Sequence, residues 1–252
     1  MPAELRLLLL LAVAAPGLWG LWRRREWGAA WLLAAAAATA ILLPALLSPH
    51  AVPSPSATLG QLVPWAASPL ASAAPSPGVV GNPELGDVTF QIEPWLLFLR
   101  RELRAGRWPF WNPHQSSGAP YWSNGQSAPL FPLHLLFTLL PLELGFVLLP
   151  WLRVAIGALG TYFLARELGI GRTGAAMSAV VYPLSGRLVS FLLFPMANAL
   201  CLVPWLFLAV ERLASGERPG KRAWTLLAAL AGLQLLAGHP ETAFFTALAC
   251  GI

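Results

Sequence analysis

Asp87 is the only aspartate in the chain, and it stands in Gly86-Asp87-Val88-Thr89-Phe90-Gln91 with Glu84 and Glu93 nearby. A lone carboxylate held against a membrane surface can act as a general base toward an acceptor hydroxyl, because partial desolvation raises its pKa toward neutrality. At the start of a helix the same carboxylate can instead be a charge that the helix dipole stabilises. Gln91 lies one turn further on and joins the same set. Downstream, two segments, Trp108-Pro109-Phe110-Trp111-Asn112-Pro113 and Gly118-Ala119-Pro120-Tyr121-Trp122-Ser123-Asn124-Gly125-Gln126, place Trp108, Trp111, Tyr121 and Trp122 beside Asn112, Asn124 and Gln126. A sugar is held by an aromatic stacking face and oriented amides, which these residues supply; an interfacial aromatic belt has the same composition, and both readings stay open.

Arg153, Arg187 and His239 are the candidates for holding a phosphate. Arg153 falls about 14 Å into an apolar run at the standard helical rise, where an unpaired guanidinium costs roughly 2.5–3.5 kcal/mol. Its partner is then a phosphate, or else Glu143 or a backbone carbonyl. Arg187 sits in the outer half of its run, where it either meets a phosphate or snorkels to the headgroups. His239, in Gly238-His239-Pro240-Glu241, either touches phosphate, supports a base or caps exposed carbonyls. Glu241 is the next carboxylate after Asp87 for the acceptor side.

Such residues need elements that hold them in a bilayer. Of 252 residues, 57% are hydrophobic and 11% charged, and the mean hydropathy is +0.63. A soluble domain carries roughly 25% charged residues, so a soluble enzyme and a disordered chain are both excluded. The net charge of +5 comes from fifteen Arg and one Lys. These fall mostly between apolar runs, which fits orientation in a membrane and not a nucleic-acid surface. Cys201 and Cys250 lie inside apolar runs and read as small hydrophobes.

The expected fold class is an all-α integral membrane protein, a multispanning helical bundle with a large extracytoplasmic first loop. Residues 1–47 form a transmembrane hairpin of Leu5–Trp22 and Trp27–Leu47, with Arg23, Arg24 and Arg25 between them on the cytoplasmic side. Residues 48–142 form the outer loop. Its first part, to Asn82, is a charge-free leader rich in Pro, Ser and Ala. From Gln91 to Gly106 comes an amphipathic helix with Ile92, Leu96, Leu99 and Leu103 on one face and Arg100, Arg101 and Arg104 on another, lying in the interface. Ala128–Pro141 is short and has three prolines. If it spanned, later basic loops would face outward, so it is expected to be re-entrant or interfacial. Residues 143–252 hold the spans Leu144–Leu164, Gly174–Phe194, Pro195–Val210 and Ala223–Gly238. The run Thr242–Ile252 reads as part of a further span in a longer protein.

Taken together, Gly86-Asp87…Gln91…Pro94, Gly106-Arg107-Trp108-Pro109-Phe110-Trp111-Asn112-Pro113, Gly118-Ala119-Pro120…Asn124-Gly125-Gln126, Leu130-Phe131-Pro132 and Gly238-His239-Pro240-Glu241 resemble the bacterial YfhO-type membrane proteins. That family is similar to the GT-C class of glycosyltransferases. The resemblance implies a GT-C-like bundle in the cytoplasmic membrane of a bacterium, with its active site on the extracytoplasmic side. It implies sugar transfer from a polyprenyl-phosphate donor to a cell-envelope polymer or lipid acceptor, with Asp87 in the position of the first-outer-loop acidic residue. That residue acts as a base or as a metal-associated carboxylate; here no Asp-x-Asp pair accompanies it, so a divalent metal has a thin ligand set. The other readings are a non-enzymatic lipid-linked-sugar transporter or flippase component, and an envelope assembly protein.

Overall fold

The computed structural model describes residues 15–17, 19–20, 25–47, 86–215 and 220–251. Most of Leu5–Trp22, the charge-free leader and Glu84 lie outside the described residues. Helix α1 is Arg25–Leu47. A π-helical turn, Val88–Ile92, leads directly into α2, Glu93–Arg104. A two-residue hairpin pairs β1 (Trp111–Asn112) with β2 (Ala119–Pro120) in antiparallel register, Trp111 opposite Pro120. Then follow α3 (Pro132–Leu139), α4 (Leu142–Glu167), α5 (Arg172–Val181), α6 (Gly186–Ser190), α7 (Pro195–Leu200), α8 (Val203–Ala214), α9 (Lys221–Leu236) and α10 (Pro240–Cys250). Pro94, Pro132, Pro195, Pro204 and Pro240 all stand in the first turn of their helices, where a missing N–H costs nothing.

Among the described residues three helical stretches are long and apolar enough to cross a membrane: Glu26–Leu43, Leu142–Glu167 and Pro195–Ala214. They correspond to three of the spans expected from the sequence. The expected span Gly174–Phe194 is corrected: it is not one helix but α5, a turn and the short α6. Pro183 has no N–H to continue the ladder; Leu184 still donates to the Val180 carbonyl at 3.2 Å, and Ser185, at ψ 143°, then turns the chain out and opens a new helix. The Ala223–Gly238 segment is found as the sixteen residues of α9, below the length of a straightforward span. Ala128–Pro141 contains only the eight residues of α3.

Helix α4 is the centre of the packing. Ala30, Ala34 and Ala38 of α1, Val154, Ala155 and Ala158 of α4, and Ala175 and Ala179 of α5 form one buried cluster. Lipid is as apolar as these side chains, so small residues hold helices together there by letting backbones approach and van der Waals contact accumulate. Gly160 serves the same end: a Cβ there would come within 2.7 Å of the Trp205 ring, whose Nε1 donates to the Ile156 carbonyl at 2.9 Å.

The bundle has two chemically different ends. At one, Arg166 pairs with Glu26 at 2.6 Å and Arg212 with Glu167 at 2.8 Å, joining the start of α1 to the ends of α4 and α8. The other end is built by α2, the hairpin loop and α3, packed on the first turns of α4 through Val88, Trp95, Leu99, Phe137 and Leu149.

Candidate functional site

The expected site residues divide into those that build the second end and those that face out of it. Tyr121 builds. Its side chain is 1% exposed, its hydroxyl donates to the Trp95 carbonyl at 2.9 Å, and its ring meets Phe98 edge-on. Asn112 is buried and accepts from the His114 amide at 3.0 Å, closing the turn after β1. Asn124 caps a 3₁₀ turn, Gly125–Ser127, by accepting from the Gln126 amide at 3.2 Å. All three use their polar groups on the backbone, the two asparagines within their own turns as short polar side chains do.

The hairpin loop is bound firmly to α2. Trp95 Nε1 donates to Gln115 Oε1 at 2.8 Å, and Arg107 makes a two-pronged contact with Glu102, 2.8 Å on each prong. That guanidinium holds the Glu102 carboxyl below the usual carboxylate range. Gly118, at φ +112°, lies against the Trp111 indole, where any Cβ would come within 2.7 Å of the ring. The result is an exposed aromatic surface. Trp108, Phe110 and Trp111 are each more than half exposed, and Trp122 lies between Trp108 and Phe110 with ring centroids 5.6 and 5.4 Å away. Gln126 is exposed as well.

Asp87 is exposed, one residue before the π-helical turn, and accepts a hydrogen bond from Gln91 Nε2 at 3.0 Å. The expected desolvation of this carboxylate is not supplied by the described residues; Asp87 does stand at the N-terminus of the π-helical turn, where the helix dipole favours a negative charge, and its side chain makes no cap hydrogen bond there.

Arg153 is found where a charge is most costly, with 0% exposure. It makes no ion pair among the described residues. Nε donates to Asn198 Oδ1 at 2.8 Å, Nη1 to the Leu192 carbonyl at 2.6 Å, and Nη2 lies 3.3 Å from His134 Nε2. Of the partners considered from sequence, the backbone carbonyl is present here, joined by two side chains that sequence reasoning missed. His134 Nδ1 lies 3.3 and 3.1 Å from the carbonyls of Ser127 and Ala128, so that nitrogen carries the proton and Nε2 is the acceptor for Arg153 and for Asn198 Nδ2 at 3.1 Å. Asn198 Nδ2 also reaches the Ala237 carbonyl at 3.1 Å. One buried network thus ties α3, α4, α7, the Gly125–Ser127 turn and the end of α9. His134 and Asn198 were visible as single polar residues in apolar runs, which within a membrane mark functional or structural polar contacts.

This network sets the position of Gly238-His239-Pro240-Glu241. Gly238 is buried at φ +85°, and a Cβ there would lie 2.8 Å from the Ala128 Cβ and 3.1 Å from the Gly125 carbonyl oxygen. His239 caps α10: its Nδ1 accepts from the Thr242 amide at 3.2 Å and lies 2.8 Å from the Thr242 hydroxyl. With Nδ1 accepting, Nε2 carries the proton and is the donor. Partial burial holds the His239 pKa below the ordinary imidazole value; the neighbouring Glu241 charge opposes this and the Arg187 charge adds to it. Arg187 and Glu241 are both exposed. Among the described residues no group of three or more His, Cys, Asp and Glu side chains is placed to hold a metal ion.

Neither the curated proteins nor the solved structures include a match to this chain. A family model does match it, over residues 80–231, which is more than half of the chain and takes in Asp87, the aromatic loop, His134, Arg153, Arg187 and Asn198 and ends before Gly238-His239-Pro240-Glu241. Its apolar helices and that match make the chain a membrane protein, and it belongs to the bacterial membrane protein YfhO family.

Proposed function

We propose that the protein is a GT-C-like glycosyltransferase that moves a sugar from a polyprenyl-phosphate donor to a cell-envelope acceptor at the extracytoplasmic face of the cytoplasmic membrane. One observation carries this reading. The buried members of the family motifs are used up in holding the second end together, while Asp87, Trp108, Trp111, Gln126, Arg187 and Glu241 remain exposed and His239 keeps its Nε2 proton available. Exposed polar and aromatic side chains carried on a firmly held scaffold are what a sugar phosphate requires.

In this reading the acceptor hydroxyl attacks the anomeric carbon of the donor from the face opposite the phosphate. The acceptor oxygen forms the new glycosidic bond as its proton passes to an Asp87 oxygen. The anomeric carbon–oxygen bond to phosphate breaks, and the electron pair leaves with the polyprenyl phosphate. Arg187 and the His239 Nε2–H meet the charge that grows on that phosphate, a contribution that strengthens toward the transition state. Trp108, Trp111 and Trp122 stack on the sugar, and Gln91, Gln126 and Glu241 bond its hydroxyls or those of the acceptor. Arg153, sheathed by Asn198, Leu192 and His134, acts as a positioning residue for the turn that carries Gly238 and His239.

A second reading has its own support. The broken segment between α5 and α7 and the buried Arg153 are features that transporters of lipid-linked sugars also use. Full-length protein in liposomes, given a labelled polyprenyl-phosphate sugar and an envelope-polymer acceptor, separates the two. The enzyme reading expects label in the acceptor and a loss of about 100-fold or more in turnover for Arg187→Gln. Donor crossing the bilayer with no label transferred would favour the transporter.

A further inference from the structure

An open groove of about 980 Å³ runs between α1 and α5 at the ion-pair end of the bundle, floored by Tyr162 of α4. Its size falls in the roughly 300–1,000 Å³ range of small-ligand sites. Glu26, Ala29 and Leu33 line one side, and Arg172 and Ala176 the other. At the helical spacing of 3.6 residues Glu26, Ala29 and Leu33 share one stripe of α1. Glu26 begins the apolar stretch of that helix, so it marks the level where hydrocarbon gives way to headgroups. Leu33 lies about 10 Å deeper at the standard rise. The groove is therefore polar at its mouth and apolar below.

Among the described residues the charge at the mouth is unbalanced. Glu26 Oε1 takes the Arg166 hydrogen bond at 2.6 Å and the Tyr162 hydroxyl at 3.4 Å. Arg172 stands 3.9 Å from Glu26 Oε2, beyond hydrogen-bond distance, with 77% of its side chain exposed. Two guanidinium groups thus face a single carboxylate. The described part of the N-terminal segment packs elsewhere: Gly17 and Gly20 lie against Trp27, Trp31 and Leu32, on the far side of α1 from the Glu26 stripe.

We propose that this groove binds one anionic phospholipid, with an acyl chain along Ala29, Leu33 and Ala176 and the phosphate at Arg172. The apolar lower wall selects a lipid over a free phosphate, and the excess positive charge selects an anionic headgroup over a zwitterionic one. The inference rests on the helices spanning a bilayer and is independent of sugar transfer, because the groove lies at the end opposite Arg187 and His239.

Native mass spectrometry of the full chain, titrated in neutral detergent with phosphatidylglycerol or phosphatidylcholine of identical acyl chains, tests it. One phosphatidylglycerol per protein is expected to bind more tightly than phosphatidylcholine. Arg172→Gln should weaken that binding about fivefold, the effect of one basic residue at an anionic surface, and Arg172→Lys should restore most of it. Ala176→Trp should displace the chain with Arg172 intact. Equal affinity for the two lipids, an unchanged affinity in Arg172→Gln, or equal stabilisation by soluble glycerol phosphate would each overturn the proposal. A protein that binds phosphatidylglycerol as expected and transfers no sugar would leave this site standing and remove the glycosyltransferase reading alone.

Discussion

Arg153 illustrates how a single residue type admits two roles that only its surroundings can separate. As a phosphate ligand it would tolerate Met with the fold intact and activity gone. Buried against Asn198 Oδ1 and the Leu192 carbonyl, it leaves those acceptors without donors when removed. Each orphaned group costs about 1–3 kcal/mol, partly offset because the buried charge is gone as well. Arg153→Met is therefore expected to lose on the order of 1–3 kcal/mol of stability, and the double substitution with Asn198→Leu to lose less than the sum of the singles by about 0.5–3 kcal/mol. Unfolding curves in detergent for the four proteins measure this. Strict additivity would show that the two side chains do not share a network. The sequence exposed Arg153 as a costly charge but not its partners, because nothing in the local pattern links position 153 to positions 134 and 198.

At the scale of elements, the motif glycines act through what they let approach. Gly238 takes a left-handed conformation, which costs an ordinary residue roughly 1–2 kcal/mol, and it lies against Ala128, itself at φ +45°. Gly238→Ala is expected to destabilise the turn and displace His239, lowering both the melting temperature and sugar transfer. Adding Ala128→Gly removes the 2.8 Å contact and should recover part of the melting temperature. No recovery would mean that the backbone conformation alone sets the requirement. Much of the architecture was legible: the four-three-four spacing of Ile92, Leu96, Leu99 and Leu103 marked a helix over Gln91–Gly106, found as α2 with Ile92 closing the π-helical turn before it, and apolar length gave α1 and α4. The tertiary job of its basic face was not. Arg100 and Arg104 reach the carbonyls of Phe137 and Thr138, at 2.9 and 2.8 Å, where α3 ends with unpaired acceptors. A charged face and a capping face look alike until the neighbouring helix is in place. The break in Gly174–Phe194 was obscured for another reason: hydropathy summed along a run does not register the hydrogen bond lost at Pro183.

For the whole molecule, the proposed function requires the ion-pair end and the site end to lie on opposite sides of the bilayer. A cysteine at Ser117, in the exposed hairpin loop, is expected to react with an impermeant thiol reagent added outside. One at Leu168, exposed just past α4 at the ion-pair end, is expected to react only after the membrane is opened. The reverse pattern would put the site in the cytoplasm and remove access to an extracytoplasmic acceptor. In the proposed function this end of the bundle transfers a sugar with Asp87 as the base. The most direct test compares wild-type full-length protein with Asp87→Asn in liposomes supplied with polyprenyl-phosphate sugar and acceptor. Asn keeps the size of the side chain and one acceptor oxygen and loses the basicity. Transfer is expected to fall by about 100-fold or more while donor binding is retained. Near-normal turnover in Asp87→Asn, with the protein folded and the donor bound, would contradict the account.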